Sequence, residues 1–152
     1  MKLILLIVTF SMLIGGCSTT PIQINENTTI PQSFENVWYR STLEKPGFFV
    51  MSDTGTLTVN NNSIKFVGDD ENLIIKYTDI HSVSFKKLGS DYINNWIVIN
   101  YNKSSVPAYA VMSSGSYMGW GGGSESIFSM IEFSLKKNNI TTIEIKDEVS
   151  LK

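Results

Sequence analysis

From Leu3 to Ile14 the chain is apolar but for Thr9 and Ser11, and no other stretch repeats that pattern. Polar residues dominate from Ser18 to Gln32, where Pro21 and Pro31 intervene and no period holds, so this part reads as a flexible stalk. Ser33 is a good helix N-cap, and Phe34, Val37, Trp38 and Ser41 follow at three- and four-residue spacing, which predicts a short helix ended by Pro46-Gly47. Beyond it the period falls to two. Phe48 to Met51 is a first strand-like run, closed by Asp53-Thr54-Gly55. Leu57 and Val59 alternate with Thr56 and Thr58, Asn60 to Asn62 make a turn, and Ile64 and Phe66 alternate with Ser63 and Lys65, which predicts a hairpin with one apolar face. Gly68 to Glu71 is the next turn. Leu73 to Tyr77, Ile80 to Phe85, Asn95 to Tyr101 and Ala108 to Met112 complete about seven strands, the last two separated by Asn102 to Pro107. After a Gly/Ser loop from Ser113 to Ser124 the period lengthens again. Ser124 and Glu125 suit a helix start, and Ile127, Phe128, Ile131 and Leu135 form one stripe of a helix over about 125–138, ended by Asn138-Asn139. Phe133 falls nearly opposite the stripe, to be covered by the closing segment Ile140 to Ile145 or by a partner. In that segment Thr141, Ile143 and Ile145 alternate as a late strand.

The first apolar run is too short to span a bilayer: its twelve residues would rise roughly 18 Å as a helix, against a hydrocarbon layer about 30 Å thick. It ends in Ile14-Gly15-Gly16-Cys17, and Lys2 stands before it. This arrangement resembles the signal peptide and lipobox of bacterial lipoproteins. The resemblance implies cleavage between Gly16 and Cys17, a diacylglyceryl thioether on Cys17, and attachment to the membrane through that lipid. Ser18 rather than Asp in the second mature position implies, by the same resemblance, sorting to an outer membrane, facing the periplasm, in a Gram-negative cell. The expected organisation is a leader at 1–16, a tether at 17–32 and a single domain at 33–152.

Composition narrows the possibilities for that domain. Twelve Lys and Arg against fourteen Asp and Glu give a net charge of −2, and the chain has one Arg, Arg40. The basic pairs Lys86-Lys87 and Lys136-Lys137 are too few for a phosphate-binding surface, so nucleic acid is not an expected partner. With Cys17 the only cysteine, there is no structural disulfide and no thiolate metal site, and the apolar core must hold the fold by itself.

The stretch from Gly55 to Lys87 carries Gly55 and Leu57, then Ile64 and Phe66, a third strand, then Asp79 and Ile80 leading to Val83. This pattern resembles the GRAM and bacterial pleckstrin-homology-like (PH-like) domains, and the likeness extends over about residues 48–138. It implies a mainly β fold, a small antiparallel barrel of about seven strands capped by one C-terminal helix, and a binding or scaffolding role rather than catalysis. Eukaryotic relatives that hold inositol phosphates place Lys and Arg in and beside the first hairpin. Here that turn is Asn60-Asn61-Asn62, with Lys65 the nearest cation, which disfavours phosphoinositide recognition.

No motif declares a reaction. The loop Gly119 to Ser124 precedes a helix, as anion-binding loops do, but it has neither the Lys-Ser/Thr of a P-loop nor the dinucleotide glycine spacing. Tyr117, Met118 and Trp120 within it are the candidate partner-binding residues, the alternative being ordinary packing onto the barrel. His81 is the only histidine. It shares parity with Val83 and Phe85 and in a regular strand would face inward, although the turn at Asp79 can shift the register. An Asp79-His81-Ser triad lacks a nucleophile elbow. Asp69-Asp70-Glu71 lacks the alternating oxygen ligands of a calcium loop and reads as a solvated turn. The expectation is therefore no catalytic residue, no metal and no cofactor. It is an envelope lipoprotein held by the lipid on Cys17, with an envelope protein as its candidate partner. The rival readings are a barrel that carries a small apolar ligand and an envelope hydrolase.

Overall fold

The computed structural model describes residues 24–25, 27–43, 53–87, 95–115, 123–140 and 144–146. Among them are eight strands and one helix: β1 (Gln32–Arg40), β2 (Asp53–Val59), β3 (Ser63–Gly68), β4 (Asn72–Lys76), β5 (Ile80–Lys87), β6 (Asn95–Lys103), β7 (Val106–Ser114), α1 (Gly123–Lys137) and β8 (Glu144–Lys146), with a 3-10 turn at Tyr77–Asp79 between β4 and β5. The sheet runs β4-β3-β2-β1-β7-β6-β5-β8. β1 to β4 form one antiparallel meander and β5 to β7 a second, and antiparallel pairing of β1 with β7 joins the two. The helix follows β7 and packs on β2, β6 and β7. This is the expected plan of about seven antiparallel strands capped by one C-terminal helix. β8 is an addition to it, lying parallel to β5 with Ser82 opposite Glu144.

The expected hairpin forms as patterned. Leu57 pairs with Phe66 and Val59 with Ile64, and all four side chains are fully buried. Ile75, Ile97, Ile99 and Met112 fill the same interior, and the helix stripe Ile127, Phe128, Ile131 and Leu135 closes it, joined by Met130. Phe85 and Phe128 stack across the joint with ring centroids 5.2 Å apart. Phe133 is half-buried, with the Lys137 ammonium 5.6 Å from its ring centroid.

The short helix expected over 33–41 is instead strand β1. A bulge misleads the periodicity: between Phe34 and Val37 the register slips, so that three residues of β1 span what two residues span on β2 (Leu57 to Gly55), and Asn36 adopts a φ of 53°. The extra residue puts Phe34 and Val37 on the same side at helical spacing. Beyond the bulge the alternation is regular, with Val37 and Tyr39 in the main core. The opposite face is also covered. Trp96, Val98 and Val111 form a second buried cluster with Trp38, Leu43 and Tyr109 against it, and the Arg40 guanidinium lies 4.8 Å from the centre of the Trp96 ring. The middle of the sheet is thus buried on both faces.

Ile24 and Ile30 also pack on the core. Both lie within the stretch expected to be a tether, where the Thr28 N–H donates to the Asn25 carbonyl at 2.9 Å. Cys17 and the run Phe48 to Met51 lie outside the described residues.

Candidate functional site

At the β3–β4 turn, Asp53 fills a role the sequence did not reveal. Its carboxylate accepts the backbone N–H groups of Thr54 (2.7 Å), Asp69 (3.0 Å), Asp70 (3.1 Å) and Glu71 (2.7 Å). Burial alone would raise the Asp53 pKa, but the N–H donors of Glu71, Thr54, Asp70 and Asp69 outweigh it and hold the pKa below its ordinary value. Gly68 is required here because a Cβ would run into the Asp53 carboxylate. Converging amides of this kind make an anion cradle, and the chain's own carboxylate occupies it. The acidic turn is therefore a structural device, fastened to the β6–β7 hairpin by Lys103 Nζ, 3.4 Å from Glu71 Oε1.

The opposite end of β3 is built differently. A groove of about 520 Å³ opens there. One wall is the β2–β3 turn, Asn61 to Ser63. The second wall is the edge strand, which contributes Ile74 and Lys76, continued by Thr78. Asn138 and Ile140, just after the helix, stand on the far side, with the buried Tyr77 between.

Each wall is fixed by its own local bonds. The Tyr77 N–H donates to the Asn62 carbonyl at 3.0 Å, the Tyr77 hydroxyl lies 2.8 Å from both the Asn60 carbonyl and Ser134 Oγ, and the Ser134 hydroxyl donates to the same carbonyl at 2.9 Å. Burial raises the Tyr77 pKa, offset in part by the Ser134 hydrogen bond, so this group stays neutral and ties turn, edge strand and helix together.

The helix end is set by a Schellman motif. Asn139 takes a φ of 54°, its N–H donates to the Lys136 carbonyl at 3.0 Å, and the Ile140 N–H donates to the Leu135 carbonyl at 3.0 Å. That turn aims Ile140 back at the core and the groove. The chain also enters the domain at this end, since Gln32, the first residue of β1, pairs with Val59 beside the Asn60–Asn62 turn.

His81 is exposed, not inward: the register slips between Ile80 and Ser82, so Ile80 and Val83 are both buried although three residues apart. Ser124 does not open toward a ligand; its hydroxyl accepts the Ser114 N–H at 2.8 Å and lies 3.2 Å from Ser113 Oγ, pinning the helix start to β7. Tyr117, Met118, Trp120 and the glycines 119, 121 and 122 lie outside the described residues. Among the described residues no group of three His, Cys, Asp or Glu is placed to hold a metal ion, and no helix is long and apolar enough to cross a membrane.

No protein-family model matches the sequence, and no curated protein matches it. Solved structures of similar shape include the hSac2 domain from human phosphoinositide phosphatase Sac2, at 9% identity and a TM-score of 0.49, covering 78% of this chain and 80% of that one. The Spt16D Pob3N heterodimer is similar at 11% identity and a TM-score of 0.48, covering 82% of this chain and 60% of that one.

Proposed function

We propose that the protein is an envelope lipoprotein, anchored by a lipid on Cys17, whose PH-like domain is a binding or scaffolding module that works through the groove beside β4. The observation that carries the binding role is where the open space lies. Interior side chains such as Phe66, Ile97, Met112 and Ile131 are fully buried and in mutual contact, whereas the groove of about 520 Å³ is on the outside and has mixed walls of amides, a lysine and two isoleucines. A carrier of a small apolar ligand calls for the reverse, a hollow apolar interior. The Ile14-Gly15-Gly16-Cys17 sequence behind its apolar run supports the anchor, and Ser18 supports an outer membrane as its destination in a Gram-negative cell.

Two experiments test the two halves. Mass spectrometry of the processed N-terminus should find Cys17 acylated, with Cys17→Ser and globomycin each leaving unprocessed precursor; an unmodified Cys17 in the mature chain refutes the anchor. A photo-crosslinking side chain placed at Asn62, on the groove, should give a discrete adduct in intact cells, while one at Ser105, in the β6–β7 turn, should not. Equal labelling from both positions refutes the groove as the working surface.

A further inference from the structure

We propose that the occupant of the groove is an extended peptide segment, with an acidic and an apolar side chain two positions apart on one face, which adds as a strand to the outer edge of β4; the inference rests on the groove being the working surface. β4 ends the sheet, with β3 its neighbour on the inner side. A strand of five residues is about 17 Å long. Sheet edges are normally blunted by a proline, a bulge or a central charge. β4 has none of these: its register with β3 is regular from Asn72 to Lys76, and its middle residue is Ile74, 63% exposed. Val67, 41% exposed, lies diagonally across from Ile74 on the same face, since Lys65 pairs with Ile74 and Val67 with Asn72. An apolar centre on an edge that no other strand pairs among the described residues suits strand addition, in which backbone bonds supply affinity and alternate side chains supply selection.

Charge decides which peptide. Lys76 and Lys65 are exposed on this outer face beside Ile74, and among the groove-lining residues there is a lysine and no carboxylate. The complementary segment sets an acidic side chain against Lys76 and an apolar one against Ile74 and Ile140. The amides of Asn61, Asn62 and Asn138 line the same space as hydrogen-bonding partners for peptide groups.

The test uses the full-length, isotope-labelled protein in detergent and two synthetic hexapeptides, Thr-Val-Thr-Asp-Thr-Val and the same sequence with Lys in place of Asp, in which Val and the charged residue share one face. The acidic peptide should saturate, moving backbone resonances at Asn61–Ser63, Asn72–Thr78 and Asn138–Ile140 and slowing amide exchange along β4 at least tenfold. Lys76→Glu should weaken the acidic peptide at least tenfold and transfer preference to the lysine peptide. Ile74→Glu, also at an exposed position, repeats the test should Lys76→Glu fold poorly. Equal binding of both peptides, resonance changes elsewhere, or saturation by soluble cell-wall saccharide fragments instead of peptide overturns the proposal. Such a result alongside a persistent Asn62 crosslink removes the peptide but leaves the groove; loss of that crosslink's selectivity removes both.

Discussion

Asp53 shows how much one side chain can fix. Four backbone N–H groups converge on its carboxylate, and the folded protein holds its pKa below the ordinary value through those donors despite burial. A depressed carboxylate stabilises the fold above its unfolded pKa of about 3.9, and that stability is lost as pH falls through the folded value. Asp53→Asn should therefore be less stable than the parent at neutral pH, and the difference should shrink steadily below about pH 4, as urea midpoints measured across pH will show. A constant gap down to the acid end would refute this account. Asp53 was legible in the sequence only as part of a turn signal, Asp53-Thr54-Gly55, because its other three partners are sixteen to eighteen positions away. His81 departs for another reason: one slipped residue after Ile80 reverses the face that parity assigns.

At the scale of elements, alternation was readable wherever the ladder is regular and failed where a residue is inserted. The Leu57, Val59, Ile64, Phe66 hairpin and the α1 stripe came directly from period. β1 did not, because the bulge before Val37 imitates a helical spacing. The β6–β7 hairpin carries a different signal. Lys103 pairs with Val106, and the two residues between, Ser104 and Ser105, have φ of 52° and 68°. A two-residue turn with both centres left-handed is a type I′ turn, which favours Asn-Gly; serine is strained there. Ser104→Asn with Ser105→Gly should raise stability by on the order of 1 kcal/mol, read as a higher urea midpoint with an unchanged slope. The groove was not readable at all, since Asn138 and Ile140 on its far side are remote in sequence from the turn and edge strand that make its other walls, and no local period connects them.

For the whole molecule, the core joins strands from both meanders through buried tyrosines. Burial first, then Tyr101, Glu71 and Asp53, push the Tyr39 pKa up to about 12. Burial likewise raises Tyr101 and Tyr77. A tyrosine raised in the fold contributes stability that is complete below its unfolded pKa of about 10 and is lost as pH climbs toward the folded value. Alkaline unfolding should therefore set in above about pH 10, with the last three of the six tyrosines ionising together with the loss of β-sheet circular dichroism; complete tyrosinate formation before the fold is lost would contradict it.

The docking of Ile24 on the core has a consequence for where the domain can go. On the proposed anchor, seven peptide units separate Cys17 from Ile24, a reach of at most about 25 Å. Strand β1 begins at the end of the molecule that holds the groove, so on this anchor the groove would patrol a thin layer above the lipid, and a partner in that layer would meet it at the high effective concentration of a tethered pair. Splicing about twenty Gly/Ser residues between Thr20 and Pro21, ahead of every described residue, would dilute that encounter: the urea midpoint should hold while the adduct from Asn62 falls several-fold. Lipid attachment and the groove would then work as one device, in which the shortness of the strap itself selects the neighbour.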